Sequence, residues 1–276
     1  MNSDKLRMGR ISYINASPVY YGLDRGLAPD WLTLVTDVPA ALNHQIRTGE
    51  VDISPISAAF YGMNTEDLLL IPDFSISSHR EVMSVICASN SSLEELTGKK
   101  VLFSRESATG ASLLKMIFAM KRIEPELMVG PTNDINRIPE DVEAVMVIGD
   151  AALTQPWEDR FSQKIDLGQS WFEMTGLPFV FAVWAVRRSF AREHPDRVKQ
   201  AVEILCRSRE QGYEHIDEVV DRGCSKLGLS RAMLENYYHL LHCDLDRPKI
   251  EGMKKFFGLL YEHGILRQPA RVEFFQ

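Results

Sequence analysis

The segment "LPFVFAVWAV", residues 177–186, is the longest apolar run in the chain. Crossing a bilayer takes roughly 20 apolar residues, and this run is much shorter and carries Pro178 near its start. Its aromatic and β-branched content reads as a strand over 179–186. A second unusually apolar strand, 82–88, lies within "EVMSVICAS" (81–89). The two flank a compact stretch in which strands and helices alternate. If both cross between lobes, residues 89–182 form an inserted second lobe. Residues 1–88 and 183–276 then form the first lobe. Two such crossings permit hinge closure on a ligand held between the lobes.

The rest of the first two-thirds agrees with an α/β class. Short apolar runs alternate with helical patterns, the signature of a mostly parallel sheet with helices on its faces. Strands are expected at 9–14, 33–37, 51–54, 82–88, 100–104, 143–148 and 179–186. Helices are expected at 39–48, 57–62, 92–96, 110–122 and 150–156. Leu113, Leu114, Ile117 and Met120 recur at helical spacing and make 110–122 the clearest of these. From Pro195 to Gly264 the apolar residues recur at three and four, as in Val198, Val202 and Leu205. That predicts an all-helical C-terminal tail packed on one lobe.

The chain has 276 residues, 45% hydrophobic and 25% charged, which suits two lobes of an ordinary globular protein. Net charge is −7 and the basic residues are scattered, which argues against a nucleic-acid surface. The opening "MNSDKLRMGRISY" has charges and no apolar core of a leader, so no secretory signal is expected. Cys87, Cys206, Cys224 and Cys243 have no CxxC spacing and read as free thiols in a reducing compartment, the cytoplasm by default. No membrane association is expected, and nothing in the sequence speaks to oligomeric state.

Four strands stop in small polar residues and run directly into helices: "SYINASP" (12–18), "DISPISAAF" (52–60), "LFSRESATGAS" (102–112) and "VIGDAAL" (147–153). In open α/β sheets ligands bind beyond the carboxyl ends of the strands, where helix N-termini present unpaired N–H groups. The hydroxyls of Ser57, Ser107 and Thr109 add neutral donors, and Gly110 lets a ligand approach the backbone. Ser17 and Pro18 read as a helix N-cap and first helical residue. Asn15 is left over by that local reading. Each of these residues has an ordinary structural alternative as cap or turn former, including Asp150 before "AAL". Together they point to a small-anion site in one cleft.

Other chemistries are poorly supported. His239, His242 and Cys243 lie close in sequence, but no second ligand pair has metal-binding spacing, so no metal is expected. There is no G-x-S-x-G, no G-x-G-x-x-G and no P-loop.

The stretches "SYINASPVYYGL", "ISPISAAFY", "EVMSVICAS", "SRESATGASLL", "IGDAAL" and above all "DLGQSWFEMTGLPFVFAVWA" (166–185) resemble the menaquinone-biosynthesis chorismate dehydratases of the futalosine pathway. The match runs in order from about residue 9 to 186. The resemblance implies a two-lobe, periplasmic-binding-protein-like (type II) fold used as an intracellular enzyme. It implies elimination of water from chorismate, a small dicarboxylate, to give 3-[(1-carboxyvinyl)oxy]benzoate, with no metal or organic cofactor. It assigns catalysis to Asn15 and Ser84, and carboxylate binding to the Ser107–Thr109 loop. Gly110 stands where many members have serine, which exchanges a hydroxyl for a backbone N–H.

On that reading Asn15 orients the substrate's enolpyruvyl carboxylate, which acts as the base. Ser84 bonds the same group or the departing hydroxyl, and the Ser107–Thr109–Gly110 loop stabilises charge on the ring carboxylate. Asp150 takes a structural or hydroxyl-binding part, and Arg80, Arg105 and Arg137 are further residues that could reach the ligand. Two other readings stay open. One is a non-catalytic receptor or sensor for small carboxylates. The other is the sister cyclase acting on dehypoxanthine futalosine, which carries a histidine–glutamate pair where this chain has "IGDAAL". A pyrimidine-precursor synthase of similar fold needs a histidine and iron-linked chemistry that the strand ends do not offer.

Overall fold

The structure, a computed structural model, describes residues 5–276. Residues 1–4, part of the opening on which the leader expectation rests, lie outside the described residues. The strands are β1 Leu6–Ile11, β2 Leu32–Asp37, β3 Ile53–Ser57, β4 Leu68–Ser78, β5 Val85–Ser89, β6 Lys100–Ser104, β7 Glu126–Gly130, β8 Ala144–Ile148, β9 Gln163–Asp166, β10 Phe179–Arg187 and β11 Leu241–His242. The helices are α1 Ser17–Tyr20, α2 Pro39–Thr48, α3 Ala58–Met63, α4 Ala108–Lys121, α5 Asp150–Thr154, α6 Leu167–Thr175, α7 Arg188–Glu193, α8 Pro195–Glu214, α9 Ile216–Leu227, α10 Arg231–Leu240 and α11 Arg247–Glu262.

These elements form two sheets. The first runs β11-β4-β10-β3-β1-β2 and the second β7-β6-β8-β5-β9. Each keeps a parallel trio, β3-β1-β2 and β7-β6-β8. The expectation of mostly parallel sheets is corrected by the remaining strands, which pair antiparallel: β10 with β3 and β4, β11 with β4, and β5 with β8 and β9. β10 inserts between β3 and β4 because the chain re-enters the first sheet from the second and must fill an interior position running the other way.

The strands at 82–88 and 179–186 do not themselves cross. β5 lies wholly in the second sheet and β10 wholly in the first. The crossings are the segments before them, residues 79–84 and residues 167–178, and the second contains α6. The α/β two-lobe architecture expected from the sequence is present.

β4 escaped the sequence reading because Pro72 interrupts it and serines crowd its end. Pro72 has no N–H for a ladder bond, and Asp73 takes φ 63 beside it. The strand bulges there: its register against β10 jumps between Val183↔Ser75 and Ala185↔Leu70. On the core side Trp184 of β10 sits 6.3 Å from the Tyr20 ring and 5.7 Å from Phe74, and its indole N–H reaches the Tyr20 hydroxyl at 3.2 Å. Ser17 is another correction. It is the first residue of α1, Ala16 is the cap residue, and no side chain caps that helix.

The tail is all-helical as expected, apart from two-residue β11. Trp171 of α6 is fully buried against Phe179 of β10 at 5.2 Å and Phe256 of α11 at 5.9 Å. One crossing is thereby fixed to the tail by aromatic packing, worth about 0.5–1.5 kcal/mol per pair beyond area burial.

Candidate active site

A cavity between the sheets is lined by residues from both. Ile11, Tyr13, Asn15, Ile56 and Ser57 come from the ends of β1 and β3; Ser84, Ser107, Ile148 and Gly149 come from the second sheet's side; Phe181 and Ala182 come from β10. Its enclosed part is small, about 50 Å³, and the space reaches about 530 Å³ only when the open region at its mouth is counted. Its position beyond the carboxyl ends of β1, β3 and β8 is the one the open-sheet rule calls for.

Of the seven site residues expected from the sequence, four line this cavity: Asn15, Ser57, Ser84 and Ser107. Asn15 sits in a single 3-10 turn, Ile14–Ala16, directly after β1. Its Oδ1 is buried with no hydrogen-bond partner among the described residues. A buried polar atom left unpaired costs about 1–3 kcal/mol, so this oxygen can accept from a donor that the chain itself does not supply. The turn is held from three sides. The Ile14 N–H donates to Asp150 Oδ1 at 3.0 Å, the Ile14 carbonyl accepts from the Tyr238 hydroxyl at 3.0 Å, and Lys226 reaches the Ser12 carbonyl at 2.6 Å.

Ser84 is 3% exposed and its Oγ accepts from the Tyr237 hydroxyl at 3.1 Å. Either hydroxyl can donate in that bond, and with Tyr237 as the donor Ser84 keeps its own proton for a ligand. Burial holds the Tyr237 phenol far above the ordinary tyrosine range, although its bond to Ser84 works the other way, so it acts as a neutral donor. Ser57 is fixed by Asn43, which donates to Ser57 Oγ at 3.3 Å and accepts from the Ser57 N–H at 3.1 Å. Ser107 caps α4, its Oγ accepting from the Gly110 N–H at 2.9 Å.

The other three expected residues stand behind the wall. Thr109 is buried, and its Oγ1 accepts from the Ala59 N–H at 3.1 Å, tying α4 to α3 across the two lobes. The Gly110 N–H is taken by Ser107, so it is not the free donor that the loop reading implied. Asp150 accepts from Ile14 and pairs with Lys226 at 3.1 Å. It supports the Asn15 turn from beneath, and the structural half of its expected role describes its contacts.

Sequence reasoning missed Tyr13 and Glu106 at the mouth. Tyr13, following β1, donates to Glu106 Oε2, which precedes α4, so the bond joins the two lobes. Burial, reinforced by that bond, pushes the Tyr13 phenol above its ordinary range. Gly149 has φ +65, and a Cβ there would lie 2.6 Å from the Tyr13 ring. Only glycine allows both the backbone conformation and the ring contact. Tyr237, Tyr238 and Lys226 were also missed, since their places in the tail carry no motif.

No charged side chain belongs to the lining among the described residues. Arg80 lies over the Phe172 ring at 4.3 Å, Arg137 pairs with Asp134 at 3.3 Å, and Arg105 is exposed. Among the described residues no three His, Cys, Asp or Glu side chains gather as a ligand set. The cavity therefore offers an amide, three serine hydroxyls, the Tyr13 phenol and apolar walls of Ile11, Ile56, Ile76, Val82 and Phe181. Such a lining can orient an anion and an apolar ring without exchanging protons with either. Among the described residues no helix is long and apolar enough to cross a membrane.

A family model described as menaquinone biosynthesis matches residues 6–262. The chorismate dehydratase of Thermus thermophilus is 30% identical over 268 residues, covering 90% of this chain and 93% of that protein. Among solved structures, a protein from Archaeoglobus fulgidus superposes with TM-score 0.75 at 20% identity, covering 96% of this chain and 100% of that one. The alkanesulfonate-binding protein of Xanthomonas axonopodis, solved with MOPS bound, superposes at 0.66 with 15% identity, covering 98% of this chain and 96% of its own. The second pair of likenesses shows a periplasmic-binding-protein-like fold, and the first pair, of model and relative, shows the lineage: the chain belongs to the menaquinone-biosynthesis family.

Proposed function

We propose that this protein is a chorismate dehydratase, a hydro-lyase of the cytoplasm that removes water from chorismate to give 3-[(1-carboxyvinyl)oxy]benzoate in the futalosine route to menaquinone. The observation that carries the reading to chemistry is the side-chain amide of Asn15, with its oxygen unpartnered, in a cleft shared with Ser84: its NH2 group can donate to a carboxylate and its oxygen can accept from the substrate's hydroxyl. The family and its Thermus relative supply the substrate.

Chorismate is one elimination from aromaticity, so the product side of the reaction is strongly favoured. The proton on the ether-bearing ring carbon must leave first. The electron pair released spreads through the ring alkene onto the ring carboxylate, and the neighbouring hydroxyl then departs as the ring becomes aromatic. Ser107, at the positive end of the 14-residue helix α4, is the donor assigned to that developing charge. The proton goes to the substrate's own enolpyruvyl carboxylate, which returns it to the departing hydroxide, so that water balances the reaction. Asn15 holds this carboxylate against the ring through its amide NH2 group, an orientation effect that can lower a barrier by several kcal/mol. Ser84, with its proton free, donates to the same carboxylate or to the departing hydroxyl. Tyr13 is the one titratable side chain in the lining, and the upward shift of its phenol makes it a poor base.

Purified protein incubated with chorismate is expected to develop the ultraviolet band of a substituted benzoate, with a product identical to authentic 3-[(1-carboxyvinyl)oxy]benzoate by mass and retention. Binding of chorismate with no turnover would instead establish a receptor, the activity of the solute-binding proteins that share the fold.

The Tyr13–Glu106 bond exists only while the lobes are together. Tyr13→Phe removes it and leaves the ring in place. Losing a hydrogen bond to a charged acceptor weakens closure by about 1.5 kcal/mol, so KM should rise on the order of tenfold with kcat changed little. Steady-state kinetics on the variant check this, and a fall in kcat at unchanged KM would place the hydroxyl in the chemical step.

A further inference from the structure

We propose that Asp166 is a positioning residue that clasps the two interlobe crossings together and thereby sets the Ser84 hydroxyl against the substrate. The inference rests on the catalytic reading of Ser84 given above.

Asp166 ends β9, at the point where the chain leaves the second sheet for α6. Among the described residues its carboxylate takes four backbone N–H groups and no side chain. Oδ2 accepts from Val82 at 3.0 Å and Met83 at 2.7 Å, in the outward crossing. Oδ1 accepts from Gly168 at 2.9 Å and Gln169 at 3.1 Å, in the return crossing. One side chain thus joins both connections between the lobes. The crossings are pressed together around it. A Cβ on Gly168 would lie 2.4 Å from the Arg80 carbonyl oxygen, and the Arg80 guanidinium covers Phe172 of α6.

The segment that Asp166 grips is strained. Met83 takes φ +62, a region L-residues rarely occupy. Ser84 follows it directly, and its carbonyl accepts from the Gly149 N–H at 2.8 Å. The unusual backbone at Met83 turns the chain just before the hydroxyl enters the cavity, and the two bonds from Val82 and Met83 are what hold it there. Only an anion can fill this position. An amide has one oxygen, and its NH2 group would face two of the four N–H donors. Burial raises the Asp166 carboxyl above its ordinary value on balance, and the four N–H bonds work against that rise.

The test is a double-mutant cycle in the full-length protein, read by kcat and KM for chorismate. Ser84→Ala alone is expected to lower kcat about 100-fold, and Asp166→Asn alone on the order of 30-fold, with KM changing less than about threefold. In the Ser84→Ala background Asp166→Asn should add less than about threefold, because the group it positions is gone. Losses that multiply overturn the inference and leave Asp166 a general stabiliser. A Ser84→Ala protein with wild-type turnover overturns the reading of the site itself. If Asp166→Asn does not melt cooperatively, Asp166→Glu takes its place in the cycle. It keeps both oxygens and shifts them, and the same non-additivity is expected, with multiplying losses again counting against the clasp.

Discussion

Replacing Asn15 by Asp is expected to lower kcat about a thousandfold at pH near 8. The change is nearly isosteric, so the fold and the cavity should survive it. The difference is charge: a second carboxylate would stand where the substrate's enolpyruvyl carboxylate is held. Two like charges about 4 Å apart at an effective dielectric near 20 repel by about 4 kcal/mol, which is roughly a thousandfold in rate. Asn15→Ala removes the hydrogen bonds without adding repulsion and should lose only about 10–100-fold. The sign of the pH dependence follows. A carboxyl beside an anion has its pKa raised, so activity of Asn15→Asp should return in part as the pH falls towards about 5.5, where the group becomes neutral. Measuring kcat and KM of both variants across that range decides the matter. Wild-type kcat for Asn15→Asp at pH 8 would remove Asn15 from the substrate's carboxylate.

The largest loss of stability is expected for Asp52→Ala. Asp52 is 1% exposed at the foot of β3 and binds both flanking strands. It accepts from the Arg7 N–H at 2.9 Å, pairs with the Arg7 guanidinium at 2.7 Å and with the Arg187 guanidinium at 2.5 Å. Its removal strands two guanidinium groups at the base of the first sheet. Breaking a buried pair in this way costs about 3–5 kcal/mol, and the partial exposure of both arginines sets the expectation near about 3 kcal/mol.

Burial alone would raise the Asp52 carboxyl, but the bonds from Arg7 and Arg187 outweigh it and hold the carboxyl below its ordinary value of 3.8. A depressed acid contributes stability above its unfolded pKa and loses it as pH falls through the folded one. The gap between wild type and Asp52→Ala in urea unfolding should therefore be full at neutral pH and narrow below about pH 4. An equal gap at pH 7 and pH 3 would mean that the loss is one of packing and not of charge.

Much of the candidate site was legible because its residues violate local expectation. A hydroxyl or amide at the end of an apolar strand has no packing reason to be there, and Asn15, Ser57 and Ser107 share that signature and one cavity, whereas Ser84, just before β5, was pointed to only by the family resemblance. Thr109 and Gly110 have the same signature, and the structure uses them between α3 and α4 and within the α4 cap. A cap and a ligand donor look alike in one dimension, since both are polar groups facing free N–H or empty space. Asp166 belongs to the most specific stretch of the sequence, yet nothing in that stretch says that its partners are Val82 and Met83.

The chain's local chemistry therefore determined a great deal by itself. The parallel βα trios, the helical tail and the polar strand ends follow from side-chain periodicity and from turn and capping residues, which act over a few positions. Only the tertiary structure decided the insertion of β10 between β3 and β4, the bulge of β4 at Pro72, and the support of the cavity by Tyr237, Tyr238 and Lys226 from more than a hundred residues away. The physical reason is that these depend on which strand edges and which buried polar atoms remain unpaired once the rest of the chain has collapsed. Periodicity records which face of an element is buried, and it carries no record of what lies opposite.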